Sequence, residues 1–187
     1  RPDIDLYGCK DVNELHRYHN MLIEINITDK ETRTKEEQER LNKLAAKLYD
    51  QRKERYEFAD DDFSIVVPKE MNEITKEGVY LHHCVGGYVN RVAEGHTNIL
   101  FLRKNEEPEI PFYTIEVSNN NEIIQIHGLY NRWLGNDPDA VKFVINWIHE
   151  KNIRCPINIV LNQGQGYSSS SNKLSAKEYG LEGKKYV

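Results

Sequence analysis

The stretch Phe112-Tyr113-Thr114-Ile115-Glu116-Val117-Ser118-Asn119-Asn120-Asn121-Glu122-Ile123-Ile124-Gln125-Ile126-His127-Gly128 decides the fold. Successive side chains on a strand point to opposite faces. Tyr113, Ile115 and Val117 therefore share one face, and Thr114 and Glu116 the other. After the turn, Ile124 and Ile126 share a face, opposite Gln125 and His127. Three consecutive asparagines tolerate the left-handed backbone that a tight turn needs. The spacing predicts two antiparallel strands, 112–118 and 122–128, with the Thr114/Glu116 pair beside the Gln125/His127 pair.

Working outward, 98–104 reads as the preceding strand, and its Arg103 can join the polar face if the register allows. An earlier strand, 63–67, ends at Pro68. Residues 69–77 read as a short helix with Gly78 as its stop. Val85, Tyr88, Val89 and Val92 recur at helical spacing up to Gly95. Asp137 and Pro138 form a cap and first-turn proline for a helix to about residue 151, and 157–161 reads as a late strand. At the other end, Asp11 and Glu14 suit a capping box ahead of Val12, Leu15, His19 and Leu22. A second helix, 34–55, carries a narrow stripe of Leu41, Leu44, Ala45 and Leu48, with Glu36–Arg40 and Glu39–Lys43 pairs on a wet face. The expected fold is α+β: a mostly antiparallel sheet of four to five strands, helices packed on one face, and an exposed N-terminal helical arm. The divisions are a helical segment 1–59, a core 60–162 that begins where composition shifts at Asp60-Asp61-Asp62, and a polar tail 163–187.

A chain of 187 residues with 39% apolar and 29% charged side chains can bury one sizeable core. No apolar run approaches the ~20 residues that span a bilayer, so no membrane partner is expected. A net charge of −5 disfavours a surface built mainly for phosphate backbones, leaving room for a local patch of Arg91, Arg103, Lys104 and Arg132. Cys9, Cys84 and Cys155 are odd in number and far apart, which suits a reducing, cytoplasmic compartment rather than a disulfide framework. The opening Arg1-Pro2 suggests a piece of a longer protein.

Cys84 carries the sharpest chemical expectation. It falls at the start of the helix marked by Val85 and Tyr88, where unpaired N–H groups and the helix dipole stabilise a thiolate. Gly86-Gly87 would let an anion or substrate approach the backbone. A small residue packed at a tight junction is the competing reading. In the chemical reading Cys84 is the nucleophile or anion anchor, His83 or His127 the base, and Glu116 a further acid–base group. Arg103, Thr114, Gln125 and Asn131 then bind or orient the substrate. The competing reading of the hairpin's polar side chains is a solvent-facing sheet surface. No metal set stands out. His16 and His19 lie one helical turn apart, but His19 falls on an apolar stripe, and no third ligand suggests itself. The Gln163-Gly164-Gln165-Gly166-Tyr167 loop lacks a Walker ending and reads as a connection. Trp147 sits in a core pattern, whereas Trp133 is the better placed of the two for ligand contact.

The segment Glu77-Gly78-Val79-Tyr80-Leu81-His82-His83-Cys84-Val85-Gly86-Gly87-Tyr88 resembles the central signature of the PcfJ-like family. Three further motifs follow in order: Ile99–Arg103, Pro111–Glu116 and Gln125–Asn131. The resemblance covers roughly residues 60–150 and carries no settled reaction or cofactor. It implies a setting in mobile elements such as conjugative plasmids and phages, and by analogy with that setting the expected polar site acts on or binds a nucleotide or nucleic acid. The alternative it leaves open is a non-catalytic module that binds proteins of plasmid-transfer or phage machinery, with the 34–55 helix as the docking arm.

Overall fold

The structure is a computed structural model and describes residues 35–162 and 176–187. The expected capping-box helix with His16 and His19, Cys9, and the 164–171 loop lie outside the described residues. Among those described, five α-helices accompany a five-stranded sheet. In chain order they are α1 (Lys35–Tyr56), β1 (Phe58–Ala59), β2 (Phe63–Val66), α2 (Met71–Leu81), α3 (Val89–Ala93), β3 (Asn98–Lys104), β4 (Tyr113–Val117), β5 (Ile123–Gly128), α4 (Pro138–Glu150) and α5 (Ile157–Leu161). The sheet is an antiparallel meander in the order β1-β2-β3-β4-β5. The fold class is α+β, as expected.

Helices cover both faces of the sheet rather than one. On the first face, Leu100, Leu102, Tyr113, Ile115, Val117 and Ile126 pack with Trp147, Val144 and Val141 of α4. On the second, Ile99 and Phe101 pack with Leu41 and Ala45 of α1, Met71 and Ile74 of α2, and Val89 and Val92. All five residues of β4 are consequently buried. The solvent-facing reading of Thr114 and Glu116 fails because α2 and the turn after it roof that face. α1 is less of a free arm than its narrow stripe suggests. Beyond Leu41 and Ala45 it buries Arg52 and Tyr56, and Tyr56 accepts a 2.8 Å hydrogen bond at its carbonyl from Trp147 Nε1. Arg40 pairs with Glu37 rather than Glu36.

Three further expectations change. Gly78 does not stop α2, which continues to Leu81 and ends at His82 in a left-handed conformation (φ 52°, ψ 47°). The glycine is there for close approach: a Cβ on it would meet Gly86 N at 2.9 Å and His83 O at 3.0 Å. The single helix expected up to Gly95 is a 3-10 turn, Cys84–Tyr88, followed by the short α3. Residues 157–161 are helical; a short apolar run after a proline has no periodicity that separates strand from helix. Within the hairpin, Glu116 pairs with Gln125 but Val117 pairs with Ile123, so a bulge expels Ile124 (48% exposed) and turns Ile123 into the core. The chain end returns to the fold, with Leu181 buried and Val187 N–H donating to Cys155 O. No helix among the described residues is long and apolar enough to cross a membrane.

Candidate functional site

The segment between β2 and β3 lays α2 and the 3-10 turn across the polar side of the β3–β4–β5 surface. Between them lies a cavity of about 130 Å³ lined by His83, Cys84, Val85, Tyr88, Ile99, Thr114, Glu116, Gln125, His127 and Asn131. Seven of the eight site residues expected from the sequence share this lining. Arg103 does not: it is buried beneath, bound to Glu77.

The floor is a hydrogen-bonded array. Glu116 Oε1 accepts from Thr97 Oγ1 at 3.0 Å, and Oε2 accepts from Gln125 Nε2 at 2.8 Å. Gln125 Nε2 also reaches the Tyr88 hydroxyl at 3.5 Å. Alternation on paired strands explains the set, because Glu116 sits opposite Gln125, and Thr114 opposite His127, in the ladder. Beside this array, Thr114 Oγ1 donates to Glu77 Oε1 at 3.3 Å. Burial raises the Glu77 carboxyl above its ordinary range, partly opposed by the Arg103 guanidinium and the Thr114 hydroxyl.

Both imidazoles are held neutral at neutral pH. Burial, helped by the neighbouring His127, pushes His83 down to about 4. Burial also lowers His127, with the backbone at Asn131 working the other way. His83 Nε2 and His127 Nδ1 are buried without a hydrogen-bond partner among the described residues. A neutral imidazole keeps one nitrogen as an acceptor, so these rings retain hydrogen-bonding capacity that the described residues do not use. Tyr88 is raised, first by burial and then by the charges of Glu116 and Cys84, and stays a hydroxyl donor.

Cys84 is exposed at the cavity, whereas Cys155 is buried with its thiol pushed up to about 12. The expected helix dipole behind Cys84 is weak, since the turn spans only five residues of 3-10 geometry. Gly86 is buried close to Gly78, so the anion-cradle reading of Gly86-Gly87 gives way to close packing of α2 on the turn.

The flanks of the lining are aromatic. Leu129 O accepts from Arg132 N–H, and both central residues of this tight turn, Tyr130 (φ 52°) and Asn131 (φ 59°), are left-handed. Asparagine tolerates that conformation, but for tyrosine it costs about 1–2 kcal/mol. The turn sends Asn131 to the cavity while Tyr130, 55% exposed, stacks on His82 at 4.7 Å. Trp133 meets His127 edge-on at 4.9 Å. No cluster of metal-ligating side chains occurs among the described residues.

Sequence reasoning passed over Glu77 and Thr97 as contributors. Glu77 had a signal: it shares a helical stripe with Ile74, Gly78 and Leu81, and a charge on an apolar stripe needs a buried partner. Thr97 had none.

The model for the PcfJ-like protein family matches residues 4–142. The chain is also similar to the uncharacterized protein Lin1253/Lin1744 of Listeria innocua serovar 6a, 38% identical over 73 residues, which is 38% of this chain and 16% of that protein. The chain thus spans a minor part of the curated relative it matches. No solved structure matches.

Proposed function

The chain belongs to the PcfJ-like protein family, and from that premise we propose that the cavity is an enzyme-like site acting on a nucleotide or nucleic acid in a mobile-element setting. The observation that carries it is the convergence of an exposed thiol, two neutral imidazoles, a buried carboxylate and two carboxamides on one cavity. Solvating surface groups scatter, whereas these are drawn from the 3-10 turn, two strands and the 129–132 turn. In this reading the Cys84 thiol gives its proton to the His127 imidazole. Sγ adds to an electrophilic carbon of the substrate, and the displaced electron pair moves onto the heteroatom that carbon bears. Glu116, Gln125 and Asn131 orient the substrate, and His83 sets the field around His127.

Alkylation kinetics test this. Iodoacetamide should label Cys84 at pH 7 at least tenfold more slowly in His127→Gln than in the parent chain, and hardly label Cys155 in either. Equal Cys84 rates in the two proteins would remove the nucleophile role.

A second reading, a protein-binding module, is favoured by exposed Val79, Tyr80, Leu129 and Tyr130 beside the site. Deleting α1 cannot test it, because α1 supplies core side chains. Tyr80→Ser with Leu129→Ser is the suitable variant, and it should abolish capture of plasmid-transfer or phage proteins if that reading holds.

A further inference from the structure

The charge pattern of the cavity selects which part of a ligand enters it. No lysine or arginine lines it among the described residues. Arg103 is consumed by Glu77, and Arg91, over the Tyr88 ring at 5.3 Å, stands outside the lining. Among the described residues no cation sits on the Glu116 carboxyl group, whose hydrogen-bond partners are a hydroxyl and a carboxamide. A phosphate or carboxylate brought inside would find no lysine or arginine in the described lining to offset its own charge.

The size is equally selective. At about 130 Å³ the cavity is below the 300–1,000 Å³ typical of drug-sized ligands and near the ~150 Å³ space known to hold one benzene ring. Its lining offers hydroxyl, carboxamide and imidazole groups, which suit the donors and acceptors on the edge of a heterocycle. Alongside, the His82–Tyr130 stack and the Trp133 edge give flat aromatic surfaces of the kind on which bases stack. Tyr130, in a strained left-handed conformation next to the lining residue Asn131, holds its ring half exposed rather than in the core.

We propose that the cavity takes an uncharged heteroaromatic ring, a nucleobase, with any phosphate left outside, recognised by the Glu116–Gln125–Asn131 edge and the Tyr130–His82 stack. This rests on the same cavity as the proposed chemistry but does not need Cys84. The base can belong to a free nucleoside or to an unpaired residue of a strand.

The experiment is calorimetric titration of the Cys84→Ala chain with adenosine, guanosine, cytidine and uridine, then with inorganic phosphate and with short single-stranded oligonucleotides of each base. The expected result is saturable binding of at least one nucleoside, about tenfold weaker in Tyr130→Ala, and undisturbed by 10-fold excess phosphate over nucleoside. Tighter binding of the matching oligonucleotide, with the same Tyr130 dependence, also supports the proposal and identifies a strand as the source. Displacement of the nucleoside by phosphate, or no binding of any nucleoside or oligonucleotide, overturns it. Nucleoside binding with an unreactive Cys84 would keep this inference and end the proposed chemistry. A reactive Cys84 in the parent chain without nucleoside binding would do the reverse.

Discussion

Arg103 of β3 and Glu77 of α2 close a two-armed ion pair, Nη1 to Oε1 at 2.9 Å and Nη2 to Oε2 at 2.5 Å, with both side chains almost wholly out of water. The pair ties the roof of the cavity to its floor, and the Thr114 hydroxyl of the lining donates to the same carboxylate. Burial raises Glu77 despite the guanidinium, so the desolvation cost is large and the pair is a fastener rather than a source of surplus stability.

Breaking one half strands the other. Arg103→Met or Glu77→Leu alone should cost about 3–5 kcal/mol, while the double variant should recover most of that loss. Urea unfolding of the four proteins measures it. Additive losses in the double variant would show that the two groups do not act as a pair.

Stability should fall in mild acid. The folded His83 sits at about 4 against 6.5 when unfolded, so between those values the unfolded chain binds more protons. The contribution is complete above pH 6.5 and is lost as pH falls through 6.5 towards 4, amounting to about 3 kcal/mol. His127 shifts the same way and adds to the slope. Unfolding free energies of the parent and His83→Gln at pH 7 and pH 4.5 should differ in slope, with the variant flatter.

Gly78→Ala tests the contact between α2 and the 3-10 turn. In an ordinary helix interior the change would gain about 1 kcal/mol. Here the new methyl meets backbone atoms of His83 and Gly86, and the turn carrying Cys84 must move. A net loss of about 1–3 kcal/mol and an altered Cys84 alkylation rate are expected. A stabilised variant with unchanged alkylation would refute the contact.

Arg52 is buried with no carboxylate partner among the described residues: Nε donates to Asn98 Oδ1 at 2.8 Å and Nη2 to Val92 O at 2.7 Å. Burial lowers it accordingly. Lysine lacks the fork that meets two acceptors at once, so Arg52→Lys and Arg52→Ala should each lose about 3 kcal/mol in chemical denaturation. Retention of full stability by the lysine variant would mean that charge alone suffices.

The hairpin was readable because strand alternation is strict and the asparagine turn is unambiguous; from it the grouping of Thr114, Glu116, Gln125 and His127 follows directly. Whether that polar face met water or protein was not readable, since it depends on where the segment after β2 folds back. The same long-range placement hid the partners Glu77 and Thr97. The bulge that expels Ile124 was hidden for another reason: Ile123 and Ile124 are chemically alike, and only the register chooses between them. Gly78 was misread because glycine both ends helices and permits close contact, and sequence cannot say which.

The strands of the meander follow one another by short links except where residues 67–97 intervene between β2 and β3. That excursion supplies His83, Cys84, Val85 and Tyr88, while the remaining lining comes from the sheet and the turn beyond it. The two halves of the cavity are therefore separate stretches of chain. If the proposed reading holds, substitution within the excursion would change the reacting group while the strand-borne recognition groups stay in place, and relatives would then share a binding preference yet differ in what they do to the bound molecule.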